Sequence, residues 1–557
     1  MSGLICGLIG LGGCTPLAED DGGVPGTDAG TDAGDEVDGG GSDAGGGPGT
    51  DAGHDGGCPG GGPFTYYADD DGDGYGDPAV SVLACSAPDD YVEDATDCDD
   101  GHPGIYPGST ATEVPGDGLD MDCDGYDGCS DLDCNGRPDI AFLGATVETF
   151  LNTGAGFTSD SMVPVQGAGT ANVVSGPITG TSADLDGDGY LDIATIFYND
   201  SRSCTHNILW GGPDGYSIAR STYLDHDGAA SGERDSGTRH MRIFDMDGDG
   251  NLDIALATYW IYGGTGRDTD AAVYYGNGSR GFVNRDYPAA QAYTIDAGDI
   301  DHDGNPDLVI GRFANPGDVR VYWGTPMGPR PTSTPTILAT QSVTDVDLVD
   351  LDGDGDLDIV AGTYDDRSDV FLFDASAGRR EDGFSDTAGH FTLDTGNTRQ
   401  ATEADLDGDG CHELLFSGAT SQIFEGTRSG GGCTWPSTAS GTFATTPSRQ
   451  SLVADLNGDT YPDVAIVSSS TTDVYFGTSS GVPRTSPVTL SKGGLSLTAG
   501  DLEGDGVLDL VVGDDDPVVF WGRPGATTYS DARSATLTTT TGGTGTIIGE
   551  QLTTIGD

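Results

Sequence analysis

Short apolar segments recur along the C-terminal three-quarters of the chain, and aromatic segments that end in glycine follow them. Leu191–Ile196, Pro306–Gly311 and Leu508–Gly513 are of the first kind, and Val273–Gly276 and Val321–Gly324 are of the second. A Gly-rich turn, a more variable segment and a segment of small residues complete each unit. Runs of this length between turn residues are typical of strands, and long amphipathic helical patterns are absent from the sequence. We therefore predict an all-β protein with four strands in each unit.

An acidic loop precedes each apolar segment. In Asp245–Asp253, side-chain oxygens fall at positions 1, 3, 5 and 9, and Gly250 falls at position 6. Alternate carboxylates can point towards one centre, and the glycine permits the sharp turn that a loop around Ca²⁺ needs. An EF-hand would place glutamate at position 12 on a helix, whereas position 12 here is Leu256 in an apolar segment. The pattern predicts a Ca²⁺ loop that opens into a strand.

The same acidic loop occurs eight times, at intervals of 46 to 61 residues. A fixed period of about 50 residues is typical of a propeller or a solenoid, and four strands per period are a propeller blade. The predicted ligands at positions 1, 3, 5 and 9 are Asp131, Asp133, Asn135 and Asp139; Asp184, Asp186, Asp188 and Asp192; Asp245, Asp247, Asp249 and Asp253; Asp299, Asp301, Asp303 and Asp307; Asp350, Asp352, Asp354 and Asp358; Asp405, Asp407, Asp409 and Glu413; Asp455, Asn457, Asp459 and Asp463; and Asp501, Glu503, Asp505 and Asp509.

These loops and aromatic segments resemble the FG-GAP, or VCBS-type, repeats of the integrin α-chain propeller and its bacterial relatives. The resemblance covers residues 131–557 and implies a Ca²⁺ site in a hairpin loop of every blade. It also implies an extracellular role in cell adhesion or ligand binding.

Some repeats depart from the pattern. Asn135 and Asn457 replace aspartate, Glu413 and Glu503 lengthen a side chain, and Thr460 replaces the turn glycine of the seventh loop. Fewer charges or a strained turn weaken Ca²⁺ binding, and we expect the largest effect in the seventh loop.

The two ends of the repeat region suggest how many blades there are. The first loop, at Asp131, has no apolar strand before it, while the segment Gln551–Asp557 resembles the strand that precedes the eighth loop. We expect this segment to complete the first blade and close an eight-bladed ring. The alternative is seven blades with the first unit packed outside.

Residues 58–130 form a Cys/Asp-rich module that we expect to be loop-rich and held by disulfides and Ca²⁺. Two further copies of the acidic loop lie in it, and both resemble the short Asp/Cys metal-binding repeats of bacterial surface proteins. Their predicted ligands are Asp69, Asp71, Asp73 and Asp77, and Asp120, Asp122, Asp124 and Asp127.

The chain has 11 cysteines, six of them close together around this module. A small domain with little core usually needs disulfides, which implies an oxidising compartment. Pairing cannot be derived from sequence, and our guess is Cys58–Cys85, Cys98–Cys123 and Cys129–Cys134. Thiolate zinc ligation is the alternative, although no CxxC pair is present and the surrounding oxygens favour hard cations. Farther along, Cys411 and Cys433 could pair within one repeat. If Cys6 is removed with a signal peptide and Cys14 carries a lipid, Cys204 is the one left over.

The amino terminus has the features of a bacterial export signal. Residues 4–12 are apolar but too short to span a bilayer, and Leu11-Gly12-Gly13-Cys14 resembles a lipobox, in which Cys14 would be lipidated. No Lys or Arg precedes the apolar run, so an ordinary signal peptide with an incidental cysteine is the alternative. Residues 15–57 are rich in Gly and Asp, and we expect a disordered spacer.

The charge balance restricts the partners. The chain has 92 acidic and 22 basic residues, a formal charge of −70, so nucleic acid and anionic membrane surfaces are poor partners. We expect contact with a membrane through the lipid anchor alone, at the bacterial outer surface. We also expect a monomer with an unidentified extracellular glycan or protein ligand.

Two short motifs resemble catalytic signatures. Gly276–Gly281 matches a dinucleotide fingerprint and Gly477–Gly481 matches a nucleophile elbow, but no helical pattern follows either of them. Both are turns that the repeat already explains. His226, His240 and His302 lack metal-ligand spacing to one another, and we expect them to be solvated or hydrogen-bonded loop residues.

We therefore predict a non-enzymatic, Ca²⁺-binding propeller with no catalytic residues. A polysaccharide lyase or hydrolase on a propeller scaffold is the alternative, and a cluster of unrepeated Lys, Arg, Tyr and His at one face would favour it. A passive surface-layer or Ca²⁺-storing protein is a third hypothesis. Loops between blades should carry the ligand site, and the longest of them is Arg220–His240.

Overall fold

The computed structural model describes residues 64–549 except 70, 89–90, 93, 108–122, 124–130, 144–146, 162–176, 198–205, 214, 218, 225–237, 260–269, 375–382, 385–388, 430–431, 446, 515, 524–528 and 540–545. These residues contain 37 β-strands and a 3-10 helix at Asp531–Arg533, which confirms the all-β prediction. Within them there is no helix with the length and apolar character needed to span a bilayer. Residues 64–101 and 102–549 belong to two separate compact units.

The smaller unit contains one antiparallel sheet. Its strands are β1 (Phe64–Ala68), β2 (Asp77–Ala84) and β3 (Tyr91–Val92), and β1 lies between the other two.

The larger unit contains eight four-stranded antiparallel sheets within its described residues. In chain order the strands are β4 (Ile140–Leu143), β5 (Val147–Asn152), β6 (Phe157–Ser161); β7 (Pro177–Ala183), β8 (Asp192–Phe197), β9 (His206–Leu209), β10 (Ser221–Leu224); β11 (Thr238–Phe244), β12 (Asp253–Thr258), β13 (Ala271–Gly276), β14 (Phe282–Tyr287); β15 (Ala292–Gly298), β16 (Asp307–Arg312), β17 (Gly317–Tyr322), β18 (Thr336–Thr340); β19 (Val343–Val349), β20 (Asp358–Thr363), β21 (Ser368–Phe371), β22 (His390–Leu393); β23 (Thr398–Ala404), β24 (Glu413–Gly418), β25 (Gln422–Phe424), β26 (Thr427–Ser429), β27 (Gly432–Thr434), β28 (Gly441–Thr442); β29 (Ser448–Ala454), β30 (Asp463–Ser468), β31 (Thr472–Tyr475), β32 (Val488–Leu490); β33 (Ser496–Gly500), β34 (Asp509–Gly513), β35 (Val518–Phe520), β36 (Ser534–Thr536); and β37 (Thr546–Gly549).

Each sheet follows the strand order predicted for a unit. A small-residue strand comes first, the acidic loop and the apolar strand follow, and the aromatic and variable strands come last, as in β11-β12-β13-β14. In the sixth sheet, β28 is the fourth strand, while β26 and β27 form a separate hairpin.

The first sheet takes its first strand from the far end of the unit. Its order is β37-β4-β5-β6, and Thr546 pairs with Leu143 while Gly549 pairs with Ile140. The closing strand that we expected at Gln551–Asp557 lies outside the described residues, and the strand that pairs with β4 is a few residues earlier.

We call the strand at the start of each sheet the inner strand; these are β37, β7, β11, β15, β19, β23, β29 and β33. Each inner strand contacts the inner strand of the next sheet, and β37 contacts both β33 and β7. The contacts therefore run through all eight sheets and return to the first.

Eight buried apolar clusters lie between successive sheets. Val309 of β16 packs towards β19 and β20, whereas its neighbours Leu308 and Ile310 pack towards β12 and β13. The last sheet packs against the first through Val511 and Phe142. Because successive side chains of a strand point to opposite faces, both faces of these strands are buried. This is why they read as continuous apolar runs in the sequence.

Candidate metal centres and an inner-strand pocket

Seven of the eight acidic loops join an inner strand to the second strand of the same sheet, and the first loop directly precedes β4, whose inner strand β37 comes from the far end of the unit. In the third sheet β11 ends at Phe244, positions 1 to 8 form the loop, and Asp253 at position 9 is the first residue of β12. The loop is therefore anchored at both ends by paired strands.

The position 1 carboxylate closes the turn. Oδ1 of Asp245 accepts the N–H of Asp249 at 3.1 Å, and its Oδ2 accepts the N–H of Gly250 at 2.9 Å. The same pair of bonds recurs from Asp350 to positions 5 and 6 of its loop, at 3.1 and 2.9 Å. These bonds hold the loop wrapped around a common centre.

The position 9 carboxylate braces the loop against the sheet. Oδ2 of Asp358 accepts the N–H of Leu351 at 3.0 Å, and its Oδ1 accepts the N–H of Phe373, beyond the third strand, at 2.7 Å. Position 2 is apolar and buried in all eight loops, an anchor that our sequence analysis missed. These residues are Leu132, Leu185, Met246, Ile300, Leu351, Leu406, Leu456 and Leu502.

The position 3 side chains carry the observation that points to a cation. Oδ1 atoms of Asp186, Asp247 and Asp352 are buried, and each lacks a hydrogen-bond partner among the described residues. The Oδ1 atom of Asn457 in the seventh loop is in the same situation. A buried oxygen without a donor is destabilising unless another group supplies positive charge. A cation bound inside the loop would supply it.

The carboxylates of a loop also lie close together. Ligand atoms of Asp131, Asp133 and Asp139 lie within 4.8 Å of one another, and so do those of Asp184, Asp186 and Asp192. An all-oxygen donor set of this kind suits a hard cation such as Ca²⁺. The residues present therefore fit the predicted ion, although the assignment of individual ligands stays a prediction.

Burial raises the pKa of the position 9 carboxyls, and neighbouring loop carboxylates raise it further. The pKa reaches about 8 at Asp139, Asp358 and Glu413. It reaches about 7 at Asp192, Asp253, Asp463 and Asp509. Without a cation, several negative charges in one loop oppose the fold at neutral pH.

The backbone of the loop bears on one of the departures, Thr460. Position 6 has a positive φ in every loop, and Thr460 adopts it at 72° in the seventh. A β-branched residue at such a φ is strained, as we expected. Position 4 also has a positive φ, which the sequence analysis missed, and Cys134 and His302 occupy it at 59° and 55°.

The second loop carries its own cation. Arg280, in the turn after β13, forms ion pairs with Asp186 and with Asp188, the latter at 3.2 Å. Its guanidinium also lies 5.1 Å from the ring centre of Trp210. Since it neutralises two predicted ligands, we expect weaker Ca²⁺ binding here than in the third loop.

In the smaller unit, more carboxylates lie close to one another than we predicted. Asp69, Asp71 and Asp73 lie together, and Asp71 also groups with Asp97 and Asp100. Asp97 is buried, and its Oδ2 lacks a hydrogen-bond partner among the described residues. The predicted ligand Asp77 begins β2. The predicted ligands Asp120, Asp122, Asp124 and Asp127 lie outside the described residues, as do Cys14 and the whole of residues 1–63.

The cysteines are oxidised where the structure describes them. Cys411, at position 7 of the sixth loop, is bonded to Cys433 of β27 with a Cα–Cα distance of 5.7 Å, which confirms that predicted pair. Four others, Cys85, Cys98, Cys123 and Cys134, are also disulfide-bonded, so the thiolate zinc alternative is wrong at these positions. Cys58, Cys129 and Cys204 lie outside the described residues.

The opposite end of the inner strands has a different irregularity. In six inner strands the register shifts six residues before the loop, which leaves one unpaired, bulged residue. A β-bulge redirects a side chain away from the regular ladder. Five of these bulged residues are Arg239, Tyr293, Thr344, Arg399 and Arg449.

The residue after the bulge links one inner strand to the next. His240 accepts the N–H of Ile295 through Nδ1 at 3.2 Å, and Asp345 accepts that of Ala401 at 2.9 Å. Gln400 and Gln450 continue the series at 2.8 Å each, to Ser451 and Leu497 respectively. These side chains fix the spacing between neighbouring inner strands.

The bulged residues and these linking residues surround a cavity of about 280 Å³. We call it the inner-strand pocket. Its lining residues are Arg239, His240, Tyr293, Thr294, Thr344, Asp345, Arg399, Gln400, Arg449, Gln450 and Leu495. Arg239 and His240 are the end of the long segment Arg220–His240 that we singled out from sequence.

The two motifs that resemble catalytic signatures lie in turns of the repeat, as we expected. Gly276–Gly281 connects β13 to β14, and Gly477–Gly481 follows β31, so neither opens a helix. His302 lies in the fourth loop, where its Nε2 is 3.0 Å from Asp356, and His226 lies outside the described residues. The expected loop position is wrong for His240, which lies in β11 and is hydrogen-bonded there.

Comparison with known proteins identifies the repeat. A model of the FG-GAP-like repeat matches residues 299–361, 350–416 and 455–512, which together contain five of the eight acidic loops. No curated protein matches the chain. The chain therefore contains FG-GAP-like repeats in an all-β fold of four-stranded sheets.

Several solved structures are similar to the chain at low identity. A lectin from Agrocybe aegerita, described in a structure of its recognition of non-reducing terminal N-acetylglucosamine, is 16% identical, with 72% of this chain and 90% of that chain covered and a TM-score of 0.37. A protein of unknown function from Desulfotomaculum acetoxidans is 13% identical, with 62% and 96% covered and a TM-score of 0.35. The Dos1 propeller is 10% identical, with 48% and 66% covered and a TM-score of 0.32.

Proposed function

We propose that this chain, with its FG-GAP-like repeats, is a Ca²⁺-stabilised, eight-bladed β-propeller that binds a ligand outside the cell and performs no catalysis. Ca²⁺ would hold together the carboxylates of each loop, which repel one another without it. The ligand would be an extracellular glycan or protein, and the scaffold would serve adhesion or ligand capture.

The buried, unpartnered oxygens at position 3 carry this proposal. In the third and fifth loops, backbone N–H groups of the loop and of the sheet satisfy positions 1 and 9. At position 3 of the same loops, Asp247 and Asp352 each have a buried oxygen with no donor among the described residues. Eight loops with the same spacing make a coincidence of acidic residues a poor explanation. The ligands would be the residues at positions 1, 3, 5 and 9.

Eight blades are favoured over seven by the first sheet. The pairing of β37 with β4 and the packing of Val511 against Phe142 support a first unit that lies between the last sheet and the second. A first unit packed outside a seven-bladed ring would make neither contact.

The oxidised cysteines support a location outside the cytoplasm. Disulfides such as Cys411–Cys433 form and persist in oxidising compartments. Lipidation at Cys14 and a spacer over residues 15–57 would then hold a monomeric propeller at the bacterial outer surface.

Metal counting by mass spectrometry and calorimetric melting test the proposal. The purified protein should carry several Ca²⁺ ions, and chelation should lower its melting temperature by 10 °C or more, since each ion contributes about 2.7 kcal/mol when free Ca²⁺ is a hundred times its dissociation constant. Asp352→Ala should remove one ion, whereas Asp366→Ala, at an exposed site of the same sheet, should remove none. A protein that holds no Ca²⁺ and melts unchanged in EDTA contradicts the proposal.

A polysaccharide-active enzyme is the second candidate because the pocket gathers Arg, His and Tyr side chains outside the acidic loops, close to the feature that we required of it. The carboxyl in the pocket, Asp345, is buried and already accepts a backbone N–H. It is therefore poorly placed to act on a substrate. Incubation with neutral and acidic polysaccharides should give no new reducing ends or unsaturated products; release of either would favour the enzyme.

A further inference from the structure

We propose that the inner-strand pocket binds an acidic sugar unit through its oxyanion, with Arg399 and Arg449 as the principal donors. This inference rests on the proposed ligand-binding function and names the site and the chemistry of the ligand. The oxyanion is a carboxylate or a sulfate carried on a sugar ring.

The pocket is rich in arginine although the chain as a whole is strongly acidic. Arginine and lysine together number 22 against 92 acids, yet three arginines line one cavity that contains a single carboxylate, Asp345. A local excess of guanidinium groups in it favours an anion.

Two of these guanidinium groups form no ion pair or hydrogen bond that would stabilise the described part of the fold. Arg399 is exposed and Arg449 is half-buried, and neither makes an ion pair or a side-chain hydrogen bond with any residue in the described part of the chain. Arg242, on the same ring of inner strands, does pair with Asp296 at 2.9 Å. Charge balance within the fold therefore explains Arg242 and leaves Arg399 and Arg449 without a structural role.

The β-bulges of the inner strands direct these side chains into the pocket. Arg239, Arg399 and Arg449 all occupy the bulged position of their inner strands, as Tyr293 does. Bulges are frequent beside binding sites because they re-aim one side chain without disturbing the strand. The linking residues Gln400 and Gln450 hold the adjacent backbone in place, so the arginines extend from a rigid frame.

Aromatic rings at the same end favour a sugar over a bare inorganic anion. Tyr293 lies under the guanidinium of Arg239, 5.3 Å from its ring centre, and packs on Phe313 at 5.1 Å. Phe313 continues to Tyr364, whose side chain is 54% exposed. Rings of this kind offer flat apolar faces to the C–H face of a sugar, beside donors for its acidic group.

The size of the cavity limits the ligand. Sites for small molecules are commonly about 300–1,000 Å³, and this cavity is about 280 Å³. One sugar unit fits that volume, and a longer chain would extend from it across the aromatic row.

Calorimetric titration of the full, Ca²⁺-loaded chain tests the proposal with four trisaccharides. Trigalacturonate and a sulfated trigalactoside are the acidic probes, and the methyl ester of trigalacturonate and unsulfated trigalactoside are their neutral controls. At least one acidic probe should bind roughly tenfold or more tightly than its neutral control, and the probe that binds identifies the carboxylate or the sulfate as the ligand group.

Matched variants locate the site. Arg399→Ala combined with Arg449→Ala should weaken acidic binding roughly tenfold or more, and the two Lys replacements should give an intermediate loss, since lysine keeps the charge without the bidentate geometry. Arg484→Ala, an arginine paired with Glu425 elsewhere in the seventh sheet, should leave binding within about twofold. An unchanged melting temperature of the double variant shows that its fold is intact.

Three results overturn the inference. They are equal binding of acidic and neutral probes, binding that survives the double Ala variant, and no binding of any acidic probe at about 1 mM. If the protein still gains stability from Ca²⁺ in any of these cases, the proposed function stands and the pocket assignment alone is wrong.

Discussion

The two ends of the inner strands differ in charge, in regularity and in what they contribute. One end runs into the acidic loops, which have nearly the same residues in all eight sheets and hold the fold together by hydrogen bonds at positions 1 and 9. The other end carries the bulges, where the residue type changes between sheets, from Arg239 to Tyr293 and Thr344. Repetition therefore serves stability at one end, while side chains that vary at equivalent positions line the inner-strand pocket at the other.

The largest expected effect separates two roles within the acidic loops. Asp358→Ala leaves the N–H groups of Leu351 and Phe373 without an acceptor, and each buried loss costs about 1–3 kcal/mol. We expect the free energy of unfolding to fall by about 3 kcal/mol or more even in EDTA, and by more in Ca²⁺, where a predicted ligand is lost as well.

Asp354→Ala, at exposed position 5 of the same loop, is the control. It should lower stability in Ca²⁺ and have little effect in EDTA, as measured by urea unfolding. Equal losses for both variants in both conditions would mean that position 9 is no more structural than position 5.

A smaller effect is expected at Asp347, which lies in the middle of an inner strand. Burial raises the pKa of Asp347 well above its ordinary value, and the charges of Asp345 and Glu403 raise it further. The folded pKa is above the unfolded one, so the stability that this carboxyl contributes is complete below about pH 4 and is lost as the pH rises through the folded value.

Asp347→Asn should therefore match the wild type near pH 4.5 and be more stable at pH 8.5 by about 1–3 kcal/mol. Urea unfolding at constant Ca²⁺ measures the difference, and Asp366→Asn at the surface should show none. A constant difference across this range would place the ionised carboxylate in a favourable environment instead.

The smallest effect concerns the one loop that lacks its turn glycine. Thr460 has a φ of 72°, a conformation that costs a β-branched residue about 1 kcal/mol or more relative to glycine. Thr460→Gly should raise the free energy of unfolding by about 1 kcal/mol, and Thr460→Ala should raise it less. A thermal melt in EDTA removes any contribution of the ion, and destabilisation by glycine would show that the threonine side chain compensates for its backbone.

The sequence predicted the acidic loops because the same residue types return at the same spacing. The strand order of each unit and the Cys411–Cys433 pair followed from the same register and are confirmed. The buried position 2 anchor was visible as an apolar residue in all eight loops, but we attended to the oxygens and missed it. We did not predict the positive φ at position 4, because Cys134 and His302 stand there in two of the loops and such residues rarely adopt a positive φ.

The pocket could not be predicted in the same way. Arg239 and Arg449 are 210 positions apart in the chain, and the bulged position is arginine in some sheets but Tyr293 or Thr344 in others. Their proximity depends on a ring of inner strands and on register shifts that change no residue pattern. Asp97 was missed as a partner of Asp71 for a related reason: the two belong to different motifs that only the folded chain brings together.

The pairing of β37 with β4 imposes an order of assembly. The sheet that forms from the earliest part of the larger unit remains one strand short until a segment about 400 residues downstream has been synthesised. Contacts at such sequence separation form slowly, and until then the exposed edge of β4 can pair with another chain. The first sheet can therefore be completed only after the whole unit has been synthesised. A chain whose translation stops early would keep an unpaired β4 edge and would tend to aggregate.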